Sequence, residues 1–522
     1  MQKKGLLLLV AVIALFGLGC DLQRQDQGFV LRNGWYTFNG SVIWGNAQYN
    51  DYWGGLRTGP FGEYKYRANI TRNAPGIVGP SYTEDLDQLT NAMLQYGYPG
   101  FEHCFGMWFD RRRDNHDVGA RPDANAISPF LEQPWARSGI DVAWDGLSKY
   151  DLLKYNDWYF NRLKDFAAFC DLKGTVLIHD CYMQHALLEH PAHYVDFPWR
   201  PTNCIQNSEM PDGLPAANAF YDTSHAVRRD IHRAYIRKCL TELSGYTNVV
   251  FLTSYEYTGP LSFVQFWIDT ISEWENETGN DVHVGLGATK DVLDAVLADA
   301  DRAAQVDTID LRYWWYEPDG TLHAPPGGQE IPARNIVAMA YQTTPEQIYR
   351  QVREYRDRYP EKAIIHHLDG SRQQTWAFLM GGGSLLIRDL QYPDSPGGEP
   401  WLPPATYIAP EDSWIIQPTY DFIVANLAQT IPLMVPADLA VSGSSTAWCL
   451  AEAGQTYLVY LLAGGQVTLN FAGITGTFRA RWLDPRSGAI QDAGSGTVQG
   501  GGLVTVSAPD SQDWALWLTR NS

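Results

Sequence analysis

Cysteine is scarce in this chain, with seven among 522 residues. No two cysteines stand in a CxxC spacing, which removes a zinc ribbon from consideration. The histidine spacings match no standard zinc pattern such as HExxH. Basic runs are nearly missing: Arg111-Arg112-Arg113 is a short exception in a chain whose net charge is −20. Phosphate backbones would be repelled by such a surface, so nucleic acid is excluded as a partner. Long apolar runs are lacking beyond Leu6 to Leu18, which is too short to span a bilayer. That run follows Lys3-Lys4 and ends in Gly19-Cys20, the layout of a secretory leader. Cys20 after Leu18-Gly19 resembles a bacterial lipoprotein cleavage site, with Gly17 where a leucine is usual. The expectation is an exported protein anchored to the cell envelope through a lipid on Cys20, periplasmic or at the cell surface. In an oxidising compartment Cys181 and Cys204, flanking one long loop, are an expected disulfide pair. Cys170 and Cys239 fall on apolar helix faces and read as buried thiols.

What is present describes a packed globular protein: 45% apolar residues and 13% aromatics. Its length suits a barrel of about 250–400 residues plus an accessory domain. The stretch from Ala226 to Gly259 organises the rest. Val227, Ile231, Tyr235, Cys239 and Leu243 recur at four-residue steps, which predicts a helix stopped at Gly245. Asp222, Thr223 and Ser224 offer its N-cap. Asn248 to Ser254 is a short apolar run rich in β-branched residues, as in a strand buried on both faces. It ends in Tyr255-Glu256-Tyr257 before a Gly259-Pro260 turn. A carboxylate at the end of a buried parallel strand is costly unless it opens into a cleft. In a β/α barrel that end is the active-site face.

The same alternation runs along the chain. Strands are expected at Ser41 to Asn46, Gly100 to Trp108, Thr175 to Asp180, Asn248 to Ser254, Asp281 to Gly287, Val306 to Trp315, Lys362 to Gly370 and Gly383 to Asp389. Helices fall between them, and an extra strand-like run covers Asn335 to Tyr341. Eight strands alternating with helices predict a (β/α)8 TIM barrel. From about Pro436 helical periodicity stops. Short runs separated by Gly, Pro, Asp and Ser predict a small C-terminal all-β sandwich. The expected division is a leader over 1–19, a linker over 20–33, the catalytic barrel over 34–435 and the sandwich over 436–522.

Several stretches resemble the apiosidase-like glycoside hydrolases, which join a DUF4038-type barrel to a collagen-binding-type β-domain. Trp482-Leu483-Asp484-Pro485-Arg486-Ser487-Gly488 is similar to that domain's W-x-D-P-R-T-G turn. Ala508-Pro509 and Asp513-Trp514-Ala515-Leu516 are similar to its closing segment. In the barrel, Tyr235-Ile236-Arg237, Asn248-Val249-Val250 and Tyr255-Glu256 resemble the helix and fourth strand that end in Asn-Glu. Arg372 to Met380 with Gly381-Gly382-Gly383 resembles the segment between strands seven and eight. The resemblance covers roughly residues 150 to 522. Tyr255 replaces the usual Asn. Leu368 stands at the position of the strand-seven nucleophile, with Asp369 one residue on.

The resemblance implies cleavage of glycosidic bonds in a plant- or algal-type carbohydrate, without a cofactor. Such chemistry uses an acid that protonates the leaving oxygen and a second carboxylate across the sugar ring. Glu256 is the expected acid/base and Asp369 the expected partner, with Asp180, Asp310 and Glu317 as alternatives. Aromatic and polar side chains at strand ends are expected to contact sugar: Trp44, Asn46, Trp108, Tyr182, Tyr255, Arg312, Trp314, Trp315 and His367. Two other readings stay open. One is a carbohydrate-binding protein that has lost its nucleophile, as Leu368 suggests. The other is a metal-dependent hydrolase built on His185, His190 and His193, with Glu189 and Asp196 close by in the same loop.

Overall fold

The computed structural model describes residues 28–49, 69–79, 82–105, 130–189, 191–332, 343–368, 370–388 and 416–521. Cys20, Trp108, His190, Asp369 and the run Asn335 to Tyr341 lie outside the described residues. Among the described residues no helix is long and apolar enough to cross a membrane.

Eight parallel strands close into a barrel: Gly45–Tyr49, Gly100–His103, Val176–Met183, Val249–Tyr255, His283–Gly287, Thr308–Asp310, Ala363–His367 and Leu385–Arg388. They are called barrel strands 1 to 8 below. Strand 8 pairs with strand 1 through Leu385 opposite Gly45, which closes the ring. The fold class expected from the periodicity is therefore the one observed. Barrel strand 1 begins four residues later than the apolar run suggested, because Ser41–Val42 belongs to an antiparallel sheet with Phe29–Arg32 and Trp35–Phe38. Residues read as linker thus contribute a strand. That sheet plugs the barrel floor. Phe29, Tyr36 and Ile43 pack with Val176, Ile178, Val250, Leu252, Ala363, Ile365, Leu385 and Ile387. The Tyr36 hydroxyl meets Thr308 Oγ1 at 2.6 Å.

Local chemistry places the helices. Helix Asp157–Lys173 starts where Asn156 accepts hydrogen bonds from Trp158 and Tyr159, and it stops at Gly174 in the left-handed region (φ 69°). Helix Ala226–Leu243 is capped by His225 rather than by Asp222, Thr223 or Ser224. Its buried face holds Ile231, Tyr235, Cys239 and Leu243, while Val227 is exposed. Barrel strand 4 is buried along its whole length, as a strand covered on both faces should be.

Strands from Val435 to Arg520 form an antiparallel six-stranded sheet and a three-stranded sheet. Both contribute to one apolar core, with Val459 and Leu461 from the larger sheet and Val467 and Leu469 from the smaller. The sandwich docks on the barrel through polar and aromatic contacts. Asp513 takes Arg372 in a buried two-point contact, Nε to Oδ2 at 3.0 Å and Nη2 to Oδ1 at 2.8 Å. The Tyr460 hydroxyl donates to the same carboxylate at 2.9 Å, and its ring stacks on Trp376 with centroids 4.8 Å apart. Tyr349 stacks on Trp448 at 4.8 Å.

The expected pairing of Cys181 with Cys204 does not form; both are free and buried. Cys181, on barrel strand 3, faces the helices, where Trp267 Nε1 donates to its sulfur at 3.4 Å. The Cys204 thiol instead faces backbone carbonyls of Trp199, Arg200 and Gln206.

Replacing Arg372 by Met should leave Asp513 buried without its cation. A loss on the order of 3–5 kcal/mol is expected, read as a lower thermal midpoint for the full chain. An unchanged midpoint would show that docking does not rest on this pair.

Candidate active site

Strand periodicity lifts a set of charges above the apolar barrel floor. Asp180 follows Ile178 by two residues, Glu102 follows Gly100, and Asp310 follows Thr308, so each side chain points inward. Arg312 lies among them and forms ion pairs with Asp310 and Glu102. Its backbone N–H also donates to Asp310 Oδ1 at 3.1 Å. All four residues are at most 1% exposed. Burial raises the Asp310 carboxyl to about 6, against the lowering pull of Arg312. Burial pushes the Asp180 carboxyl well up, and the Glu102 charge adds to this. Neither Asp180 oxygen has a hydrogen-bond partner.

Glu256 is the first residue past barrel strand 4. It adopts φ 61°, the left-handed region, which costs a non-glycine residue about 1–3 kcal/mol and survives only where neighbours hold it. Three backbone segments hold it there. Gln184 N–H donates to Tyr255 O at 3.0 Å, Tyr257 N–H donates to the Tyr313 hydroxyl at 2.9 Å, and Thr258 N–H donates to Gln184 Oε1 at 3.1 Å. Gln184 Nε2 then donates to Thr258 Oγ1 at 2.7 Å. The loops after strands 3 and 4 are thus clamped together, and the clamp turns Glu256 out of the strand path. Its carboxylate Oε2 lies 2.8 Å from His185 Nδ1. Its side chain remains 13% exposed, against 5% for His185. Glu189 joins them: one donor atom each from His185, Glu189 and Glu256 lies within 4.8 Å of the others. The His193 ring centroid is 4.8 Å from that of His185. This constellation can hold and pass a proton, and its imidazole and carboxylates are also a hard-to-borderline metal donor set.

The other sequence candidates are scattered. Asp180 pairs in register with Leu252, four residues before Glu256, and strand 3 runs on past it to Met183. That offset is about 13 Å along the strand, beyond the roughly 5–9.5 Å that a catalytic carboxylate pair spans. Asp310 shares that deeper layer. Trp44 and Asn46 sit at the entry end of barrel strand 1, opposite the mouth, because the strand starts at Gly45. Tyr182 turns toward the helices; its hydroxyl meets His232 Nδ1 at 2.8 Å among Phe220, Tyr235 and Phe263. Arg312 is committed to its carboxylates and lies over the Tyr255 ring at 5.5 Å. Trp314 is fully buried beneath Lys290. Trp315 is 2% exposed, stacks on His323 at 4.1 Å and donates to Glu317 Oε1 at 3.1 Å. His367, half-buried, ends barrel strand 7 just before Leu368, which is buried. Gln184 and Thr258, the clamp itself, carry no signal in the sequence, since they lie 74 residues apart.

The fold and site define a (β/α)8 barrel whose mouth carries a carboxylate–imidazole cluster, followed by a β-sandwich. The chain belongs to the family described as "Domain of unknown function (DUF6298)", matched over residues 19–392. Residues 437–519 match "Putative collagen-binding domain of a collagenase", the domain type that the Trp482 and Asp513 motifs resemble. Among solved structures, one titled "Glycoside hydrolase" is similar at 11% identity and a TM-score of 0.55, over 96% of this chain and 98% of that one. A glycoside hydrolase family 5 protein from Bacteroides vulgatus is similar at 12% identity and a TM-score of 0.52, over 95% and 94%. These likenesses are of fold. No curated protein matches the chain.

The buried carboxyls make a pH prediction with a definite sign. Asp180 and Asp310 bind protons more tightly folded than unfolded. The stability this gives is fully present below about pH 3.9, the unfolded value, and is lost as pH rises through about 6 for Asp310; the sign is the same for Asp180, whose carboxyl burial also pushes well up. Asp180→Asn should therefore raise the thermal midpoint more at pH 7 than at pH 4. An equal shift at both would show that Asp180 binds its proton no more tightly folded than unfolded.

Proposed function

We propose that the protein hydrolyses glycosidic bonds, with Glu256 as the general acid/base. The observation that carries this reading is the clamped, left-handed Glu256 at the mouth of barrel strand 4, its carboxylate held by His185 and partly open to solvent. A carboxylate fixed in position and reachable from the barrel mouth is what proton transfer to a leaving oxygen requires. The fold shared with glycoside hydrolases supports the reading, as does the resemblance of the β-domain and strand 4 to apiosidase-like enzymes. Asp369, immediately after Leu368 and His367, is the proposed second carboxylate. The proposed substrate is a plant- or algal-type polysaccharide or oligosaccharide. Export with a lipid on Cys20 is proposed from the leader sequence.

One observation favours a second reading, a metal-dependent hydrolase. His185, Glu189 and Glu256 converge within 4.8 Å, so the loop after strand 3 meets Glu256 rather than forming a separate histidine cluster.

The test uses the purified chain from Asp21 onward with a panel of plant and algal polysaccharides and aryl glycosides, with and without EDTA. EDTA-insensitive sugar release, lowered at least about 100-fold by Glu256→Gln, is the expected result. Unchanged turnover in Glu256→Gln would remove Glu256 from the mechanism. Release abolished by EDTA would favour the metal-dependent reading. Retention on a polysaccharide without release would make the protein a carbohydrate binder.

A further inference from the structure

A second cluster lies behind the barrel wall, between barrel strand 3 and helix Ala226–Leu243. One donor atom each from His179, Cys181 and Cys239 lies within 4.8 Å of the others. None of the three is more than 1% exposed. Neither ring nitrogen of His179 has a hydrogen-bond partner. Its neighbours are the rings of His103, stacked at 5.8 Å, and Phe251, edge-on at 6.0 Å. A buried imidazole with both nitrogens unanswered is rare in folded proteins and calls for an explanation such as an ion. Burial drives the His179 pKa down to about 3, so the ring is neutral, the form that ligates metals. The Trp267 Nε1–H aimed at the Cys181 sulfur is the kind of outer donor that steadies a thiolate. Burial, with the adjacent Cys181 thiol adding to it, pushes the Cys239 thiol well up, so a thiolate there needs a cation.

We propose that His179, Cys181 and Cys239 hold a structural zinc ion that staples barrel strand 3 to the helix Ala226–Leu243. Zinc bonds sulfur at about 2.3 Å and imidazole nitrogen at about 2.0–2.1 Å. Donors now within 4.8 Å close to that geometry by side-chain rotation. The charges sum to zero when both thiols lose a proton to solvent and the imidazole stays neutral. Copper(I) would leave a net negative charge in an apolar wall, so the balance selects a divalent ion, and the thiolate–imidazole donor set suits zinc. The His103 ring, stacked on His179 from one strand over, also carries a buried Nδ1 without a partner. The inference stands apart from the proposed hydrolysis, because Glu256 takes no part in it.

The test refolds the reduced full chain with Zn2+, with Co2+ or with neither, then removes loose metal with a chelating column. The expected result is one retained ion per chain, a higher thermal midpoint in the zinc form, and a thiolate-to-cobalt charge-transfer band in the cobalt form. Cys181→Ser, Cys239→Ser and His179→Gln should lose the ion, while Cys449→Ser, a buried thiol of the β-sandwich, should keep it. If the three variants do not fold, the wild-type cobalt spectrum decides alone. No retained ion, a cobalt spectrum without thiolate bands, or retention unchanged in all three variants would overturn the proposal. So would finding Cys181 and Cys239 joined to each other as a disulfide in the purified protein.

Discussion

The barrel depends on Arg312. Inside a ring of eight strands the interior must be filled, and here three carboxylates, on Glu102, Asp180 and Asp310, stand above the apolar floor. A cluster of buried anions is expensive. Arg312 offsets it by pairing with two of them, and burial beside Glu102 pushes the carboxyl of the third well up, toward its neutral form. The layer separates the hydrophobic floor, sealed by Tyr36 on Thr308, from the polar mouth where Glu256 sits. It also explains why Arg312 is unavailable to a sugar: its charge is already spent inside the protein.

Two devices then turn a scaffold into a site. The Gln184–Thr258 clamp holds the backbone on both sides of Glu256, so the residue keeps a conformation that it would otherwise abandon. The docking of Asp513 on Arg372 ties the sandwich to the helix that precedes barrel strand 8. Motifs recognisable in the sequence, Asp513-Trp514 and Arg372 to Met380, meet in space at this contact. Their residue types follow from it: a planar guanidinium and a carboxylate make a two-point contact that a lysine would not reproduce.

The barrel was legible in the sequence because strand 4 and the helix before it carry clear, contrasting periodicities. Glu256 was legible because a carboxylate follows a short, mostly apolar run rich in β-branched residues. Its partners were not. His185 lies 71 residues away, and nothing local in the His185–Glu189 loop says that it folds back over strand 4. The aromatic residues misled for a related reason: Tyr182, Trp314 and Trp315 sit near strand ends, yet their rings turn to helices or to His323 and are buried. Trp44 and Asn46 failed by a boundary shift, since the apolar run at Ser41 continues the floor sheet and not the barrel.

The sequence by itself determined the alternation of strands and helices, the change of grammar near Pro436, and the place of Glu256 at a strand end. Those features depend on side-chain period and on turn residues, which act over a few positions. Tertiary structure alone decided which charges neutralise one another, which loops clamp Glu256, and which thiols meet. Each of those is a contact between segments tens to hundreds of residues apart. Such contacts are selected by barrel closure and by the cost of burying an unpaired polar group, not by any local pattern.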